Sequence, residues 1–368
     1  MKTKAAILWG LNQPWEIEEV ELDGPKRDEV TVKLVASGLC HSDHHLVTGD
    51  IPRPFPVVGG HEGAGIVVDV GPGSHSVEVG DHVVMSFLPA CGRCRPCARG
   101  MSNLCELGAL LMVGPQLDGT YRFHSRGQGV GQNCVLGTFA EYTTVPVASV
   151  IKIDPSIDLA KAALVGCGVA TGYGSMVRTG EIRDGDVAVV IGLGGVGMNA
   201  VQGARIAGAR DVVAVDPVAT KRERAGTFGA THAAASAAAA HTVVTDVTLG
   251  RMADVCVVTV DVAEAHHVAE ALSLVGKRGR VVMTAIPHPT DTTVDMSLFD
   301  LTFYEKQVRG SLFGSSNPQD DVPKLLSLYC SGLLKLDELV DREYRLEELN
   351  EGYEDMLAGR NIRGLIRF

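Results

Sequence analysis

Three things are scarce in this sequence, and each absence removes a class of function. Positive charge is in deficit: 33 Lys and Arg stand against 44 Asp and Glu, for a net charge of −11. A chain with that balance has no electrostatic pull toward phosphate backbones. No Lys/Arg run long enough to form a basic tail offsets it, so nucleic acid is not an expected partner. Long apolar runs are missing too. None approaches the roughly 18 residues of a membrane span, so no membrane partner is expected. A leader pattern is also absent. Met1-Lys2-Thr3-Lys4 opens a short apolar stretch to Leu11, which enters charged sequence between Glu16 and Glu21 without a small-residue cleavage pattern. It reads as a strand, and the expectation is a soluble, cytoplasmic protein.

What is present is ordinary globular material. Hydrophobic residues make up 45% and charged residues 21% of 368 positions, enough for two cores at about 150 residues per domain. The 43 glycines exceed the usual share of about 7%, as expected of a fold with many tight turns and close backbone approaches.

Periodicity divides the chain. In the first third, short strands such as 30–35 and 65–70 alternate with turn clusters: Asp23-Gly24-Pro25, 52–56 and Gly71-Pro72-Gly73. Strands that short, with turns that frequent, suggest a barrel or sandwich. Beyond about residue 160 the pattern changes. Apolar runs at 187–191, 211–215, 254–260 and 280–285 alternate with helical stretches at 196–207 and 263–275. Buried strands alternating with helices mean βαβ units and a parallel sheet. The alanine-rich stretch 231–241 fits a helix or a surface connection, and 362–368 alternates as a strand does.

Nine cysteines in a chain expected to be cytoplasmic point to metal ligands or buried thiols before disulfides. Cys91, Cys94, Cys97 and Cys105 form C-x2-C-x2-C-x7-C. Four thiolates at short spacing wrap one ion tetrahedrally and leave no open position, which is a structural zinc site; an iron–sulfur cluster is the competing occupant. Gly92, Arg93, Arg95 and Pro96 suit a tight exposed loop around them. Cys40, His61 and Cys167 are a second candidate set. Two thiolates and an imidazole leave a fourth zinc position for water or substrate, but ligands 21 and 106 residues apart cannot be assigned from spacing. Cys134, Cys256 and Cys330 read as buried thiols.

Gly192-Leu193-Gly194-Gly195-Val196-Gly197 follows an apolar strand and opens a helix, and Asp216 lies 19 residues beyond Gly197 at the end of the next strand. That is the context of a dinucleotide fingerprint. The glycines let the backbone approach a pyrophosphate at a helix N-terminus, and Asp216 should accept from the adenosine ribose while repelling a 2′-phosphate, so the expected cofactor is NAD(H).

Together, Gly60-His61-Glu62, Gly38-Leu39-Cys40-His41-Ser42-Asp43, the four-cysteine lobe and Gly192 to Gly197 resemble the medium-chain zinc alcohol dehydrogenase family, in order and separation from about residue 5 to residue 368. The resemblance implies an α/β plus β fold: a GroES-like β-barrel catalytic domain (1–168, with the zinc lobe), an inserted doubly wound Rossmann domain (169–312) and a C-terminal return (313–368). It implies two zinc ions per chain. Cys40, His61 and Cys167 match the catalytic ligands, Glu62 the carboxylate beside the metal that transiently ligates it, and Asp43 the acid that orients His61. Ser42 matches the hydroxyl that bonds the alcohol oxygen and His45 the imidazole that relays the proton to solvent; His44 beside it is expected at the surface.

Lys221 is similar to a residue at the adenosine ribose, His41 and Arg363 match positions at the pyrophosphate, and Thr171 matches one packing on the nicotinamide. Ile51, Phe87, Leu104 and Leu110 fall where the family lines its alcohol pocket, which implies a primary alcohol or aldehyde. His41 stands where other members carry arginine, as in the glutathione-dependent formaldehyde branch. Yet Ala109 replaces the arginine with which that branch holds glutathione, so another thiol adduct is the alternative substrate. The long loop 110–136, with Asp118-Gly119-Thr120 and Arg122-Phe123, looks most like actinobacterial nicotinoproteins, which keep NAD bound and pass electrons to an external acceptor. The edge segment 307–313 pairs sheets across a dimer in the family, so a homodimer or dimer of dimers is implied. The alternative of another class is a non-catalytic NAD(H)-binding zinc protein, for which an open zinc position and a proton relay would serve no purpose.

Overall fold

A computed structural model describes residues 1–288 and 290–368. The chain divides into two units, one of Met1–Cys167, Asn317–Gly332 and Leu336–Phe368, the other of Gly168–Ser316 and Leu333–Lys335.

In the first unit five strands close a barrel: Lys2–Leu8, Glu16–Leu22, Phe123–Ser125, Gln128–Gln132 and Val57–Val58. A second sheet runs in the order Val150–Lys152, His82–Met85, Gly63–Val70, Glu29–Gly38, Arg363–Arg367 and Val340–Arg345, with Tyr142–Pro146 also paired to Glu29–Gly38. Valines and leucines fill the space beneath: Val30, Val32, Leu34, Val67, Val83 and Met85 are fully buried together. β-Branched side chains favour this packing because a strand holds them in the rotamer they already prefer.

The segment 110–136 is not one long loop, as its sequence suggested. It contributes two of the barrel strands. The reason lies in Arg122, which is wholly buried. Its guanidinium donates to both Glu29 carboxylate oxygens, at 2.8 and 2.5 Å, to Asp118 Oδ2 at 3.0 Å and to Thr120 Oγ1 at 2.6 Å. A buried guanidinium is tolerable only when its donors are so satisfied. The turn residues Asp118 and Thr120 therefore serve to anchor the excursion.

The second unit is a six-stranded parallel sheet in the order His232–Ala234, Asp211–Val215, Val187–Ile191, Ala253–Val258, Val275–Met283 and Gln307–Gly310. With Gly195–Ile206, Ala237–Thr248 and Ala265–Leu274 as crossover helices, this is the doubly wound order. The central strand is buried at every position, which is why its sequence is a continuous apolar run and does not alternate. The alanine-rich stretch resolves into the short edge strand and the start of a helix capped by Ser236, whose hydroxyl accepts from Ala239 N. Among the described residues no helix is long and apolar enough to cross a membrane.

Candidate metal centres and nucleotide site

The four-cysteine lobe is built from a turn, the short helix Arg95–Ala98 and the 3-10 turn Ser102–Leu104. The ligating atoms of Cys91, Cys94, Cys97 and Cys105 all lie within 4.8 Å of one another. Zinc–sulfur bonds of about 2.3 Å place tetrahedral sulfurs about 3.8 Å apart. Cys91 and Cys97, and Cys94 and Cys105, are each 3.9 Å apart, so the donor set fits a closed zinc site. Burial pushes the Cys91 thiol up, but backbone N–H donors of Cys94 and Arg93 outweigh it and bring it to about 7; burial drives Cys105 up to about 12. Arg93 and Arg95 are exposed around the site, as a surface loop requires.

The second centre is deep. Cys40, His61, Glu62 and Cys167 are all at most 8% exposed, and one ligating atom from each falls within the same 4.8 Å limit. Cys40 lies two residues beyond the strand Glu29–Gly38 and immediately before the helix His41–Thr48, its thiol making no capping hydrogen bond. Its thiol is held well below the usual range by hydrogen bonding with the Cys167 thiol, and the charges of His61 and Arg363 add to this. Burial opposes charge on His61, yet the Asp43 carboxylate and Cys40 together raise the imidazole well above its usual value. Two thiols and an imidazole brought together in a buried site, beside a further carboxylate, suit a divalent metal. His61 Nδ1 is 2.9 Å from Asp43 Oδ2, which would leave Nε2 to face an ion. Glu62 Oε2 is ion-paired with buried Arg363, and a Cβ at Gly38 would strike that same carboxylate oxygen, so glycine is required there.

Around this centre, Ser42 Oγ lies 3.7 Å from Cys40 Sγ. His45 is buried, with Nδ1 3.0 Å from Asp50 Oδ2, and the Asp50 side chain is 34% exposed. Phe87 meets the His61 ring edge to face, 5.8 Å between centroids. Ile51 is partly buried in the apolar cluster of Leu46 and Val57, Leu110 is half-buried, and Leu104 is 52% exposed. Two expectations fail. His44 is not a surface residue: it is half-buried and stacks on Tyr353 at 6.1 Å, because the helix turns it inward. Cys330 is exposed at the end of Pro318–Cys330 and is no core thiol, whereas Cys134 and Cys256 are buried. The sequence reading missed Asp50, whose acidic side chain sits five residues from His45, and Asn133, which carries no motif.

In the second unit, Gly192 turns at φ +93° directly after the central strand. Gly197 faces it so closely that a Cβ would lie 1.8 Å from Gly192 O. A Cβ at Gly194 would meet nothing within 4 Å, and the helix it opens with Gly195, Val196 and Gly197 carries no side-chain cap. An uncapped helix N-terminus under open space fits a pyrophosphate. Asp216, 5% exposed, accepts from Leu193 N and Val218 N, both at 2.8 Å, so its carboxylate is fixed at the rim of that turn. Arg222, not singled out from sequence, donates to Asp216 O at 2.7 Å. Lys221 is half-buried on Ala219–Ala225, and Thr171 is half-buried on Gly168–Gly174. In the first unit His41 is half-buried at the start of its helix.

Two family models match the chain. Residues 26–155 match the alcohol dehydrogenase GroES-like domain, and residues 195–331 the zinc-binding dehydrogenase family. An NDMA-dependent alcohol dehydrogenase of Amycolatopsis methanolica is 53% identical, covering 100% of this chain and 99% of its own. Alcohol dehydrogenase B of Mycobacterium tuberculosis is 52% identical over the same shares. Among solved structures, the benzyl alcohol dehydrogenase of Acinetobacter calcoaceticus superposes with a TM-score of 0.93 at 26% identity, covering 100% of this chain and 99% of that one. Full-length identity at that level, on a fold with two cysteine-based metal sets and a dinucleotide turn, places the chain in the zinc-dependent medium-chain alcohol dehydrogenase family, as an NAD-linked oxidoreductase of small alcohols and aldehydes.

Proposed function

We propose that the enzyme interconverts a primary alcohol and its aldehyde with NAD retained at its site and re-oxidised or re-reduced by an external electron acceptor or donor. The observation that carries the chemistry is the buried Cys40, His61, Glu62 and Cys167 cluster with Ser42 and His45 beside it. Cys40, His61 and Cys167 would hold the ion, and Asp43 orients the imidazole. When bound, zinc acts as a Lewis acid that makes the alcohol proton easier to lose, and NAD accepts the hydride. Ser42 Oγ would accept the alcohol's hydroxyl proton as it releases its own toward His45. His45 passes it on, and Asp50, in contact with both His45 and solvent, gives it a way out. Glu62, paired with Arg363, is a carboxylate held next to the donor set but neutralised, ready to exchange with a ligand.

Gly192, Gly194, Gly195, Val196 and Gly197 cradle the pyrophosphate, and Asp216 selects NAD by accepting from the ribose hydroxyls. His41, Thr171, Lys221 and Arg363 complete the cofactor contacts. Ile51, Phe87, Leu104 and Leu110 supply an apolar pocket. Retention of the nucleotide is supported by the 53% identity to a relative whose name makes it NDMA-dependent. The enzyme acts in the cytoplasm as a homo-oligomer built across the sheet edge Gln307–Gly310; the oligomer is supported by exposed apolar side chains on the helix that precedes that strand, where Leu298, Phe299 and Phe303 are 75%, 55% and 70% exposed.

One preparation tests this reading. Protein passed through gel filtration and then denatured should release about one nucleotide and two zinc ions per chain, and should oxidise primary alcohols with NDMA but without added NAD. Release of no nucleotide, with turnover only on added NAD, would sink the retained-cofactor proposal.

A further inference from the structure

The excursion 110–136 ends at a buried asparagine with an unusual task. Asn133 is 1% exposed, and Asp43, which touches the metal ligand His61, is fully buried. Asn133 Nδ2 donates to Asp43 Oδ1 at 2.6 Å, and Gly60 N donates to the same oxygen at 2.9 Å. A carboxylate only accepts, so the amide must present its NH2 group to Asp43 and its oxygen elsewhere. That oxygen meets the Cys134 thiol, which donates to it at 3.4 Å. The thiol in turn accepts from Arg53 Nη2 at 3.6 Å, while Arg53 Nη1 is tied to Leu111 O. The donors thus run from Arg53 through Cys134 and Asn133 to one oxygen of Asp43, and the other oxygen of that carboxylate faces His61 Nδ1 at 2.9 Å.

The backbone is shaped for this. Cys134 and Val135 adopt φ of +54° and +56°, a left-handed conformation that non-glycine residues take only when the surroundings impose it. The imposing groups are two buried glutamines. Gln116 Nε2 donates to Gln132 Oε1 at 2.7 Å and to Val135 O at 2.8 Å, and Gln132 Nε2 donates to Leu136 O at 3.1 Å. They clamp the turn on both sides of Asn133.

We propose that Asn133 is a positioning residue for the catalytic metal: it fixes the Asp43 carboxylate, which fixes the His61 ring, and the 110–136 excursion exists in part to deliver it. The inference rests on the assignment of Cys40, His61 and Cys167 as the catalytic metal centre. Groups behind a metal-binding histidine act by setting its tautomer and basicity, and their loss weakens metal binding by about tenfold or more.

The test replaces zinc with cobalt and reads the absorption of the catalytic site as wild type minus Cys40→Ser. A wild-type difference spectrum without a thiolate–cobalt band would refute the metal-site assignment itself. Given that band, Asn133→Ala should shift it and should lose the catalytic ion to a chelator at an about tenfold lower chelator concentration, with the four-cysteine lobe still loaded. Asn133→Ser, which keeps a short donor, should restore part of both. A cobalt spectrum and chelator sensitivity unchanged in Asn133→Ala would overturn the proposal, whatever happened to thermal stability. Should Asn133→Ala fail to fold, the isosteric Asn133→Asp decides: it removes the donor and adds a charge against Asp43, so an unchanged spectrum there is equally fatal.

Discussion

The two candidate metal centres of the first unit differ in almost everything except their sulfur. The lobe takes all four ligands from a stretch of 15 residues, sits near the surface and needs little beyond a turn and a few backbone N–H groups. The proposed catalytic centre draws Cys40, His61 and Cys167 from distant parts of the sequence and buries them. Behind them stand Asp43, Asn133 and the Arg363–Glu62 pair. A closed site only has to hold its ion, so local geometry suffices. An open site must hold an ion and also leave a position for substrate, and the coordination it gives up is replaced by buried support around the ligands.

That contrast can be broken in four ways. Cys40→Ser should abolish turnover to background in an alcohol oxidation assay and remove one zinc per chain by elemental analysis, with circular dichroism unchanged. Residual activity above a few per cent would contradict its role as ligand. Cys97→Ala should do the reverse: the lobe ion is lost and stability falls by about 4 kcal/mol, a drop of roughly 10 °C in Tm by calorimetry, while the catalytic ion is kept. Loss of both ions together would mean that the two centres are not independent.

Asp43→Asn should lower catalytic-metal affinity by about 10- to 100-fold without touching the lobe, as measured by competition with a chelator. The smallest effect is in pH. A thiol must lose its proton before it ligates, so affinity at both centres rises with pH. The rise should be steeper at the lobe, with four sulfurs, than at the catalytic centre, with two sulfurs and one imidazole. Cys91, lowered to about 7, has already lost its proton above neutrality and drops out of the lobe's dependence there. Equal slopes in a pH series of metal titrations would remove the distinction.

Legibility followed the same divide. The lobe, the glycine turn and Asp216 could be read because each is set by contacts local in sequence: a ligand spacing, a strand–turn–helix switch, and a carboxylate at the end of the next strand. The parallel sheet was readable because strands buried on both faces carry unbroken apolar runs such as Val187–Ile191. The 110–136 segment was misread, because its structure depends on one arginine buried against Glu29, 93 residues away. His44 was misplaced because its neighbour, Tyr353, is far off in the chain.

The sequence by itself determined which groups can carry charge, metal and phosphate: four sulfurs on one short loop, a run of glycines where a strand turns into a helix, and a net charge of −11. Only the tertiary structure decided what stands behind them. Asn133 has no motif and Asp50 is an ordinary loop acid, until folding places one on Asp43 and the other on His45. The physical reason is that ligand identity resides in side-chain chemistry, which a sequence states directly. Orientation of a buried ligand comes from hydrogen bonds closed between residues tens of positions apart, and these exist only once the chain has packed.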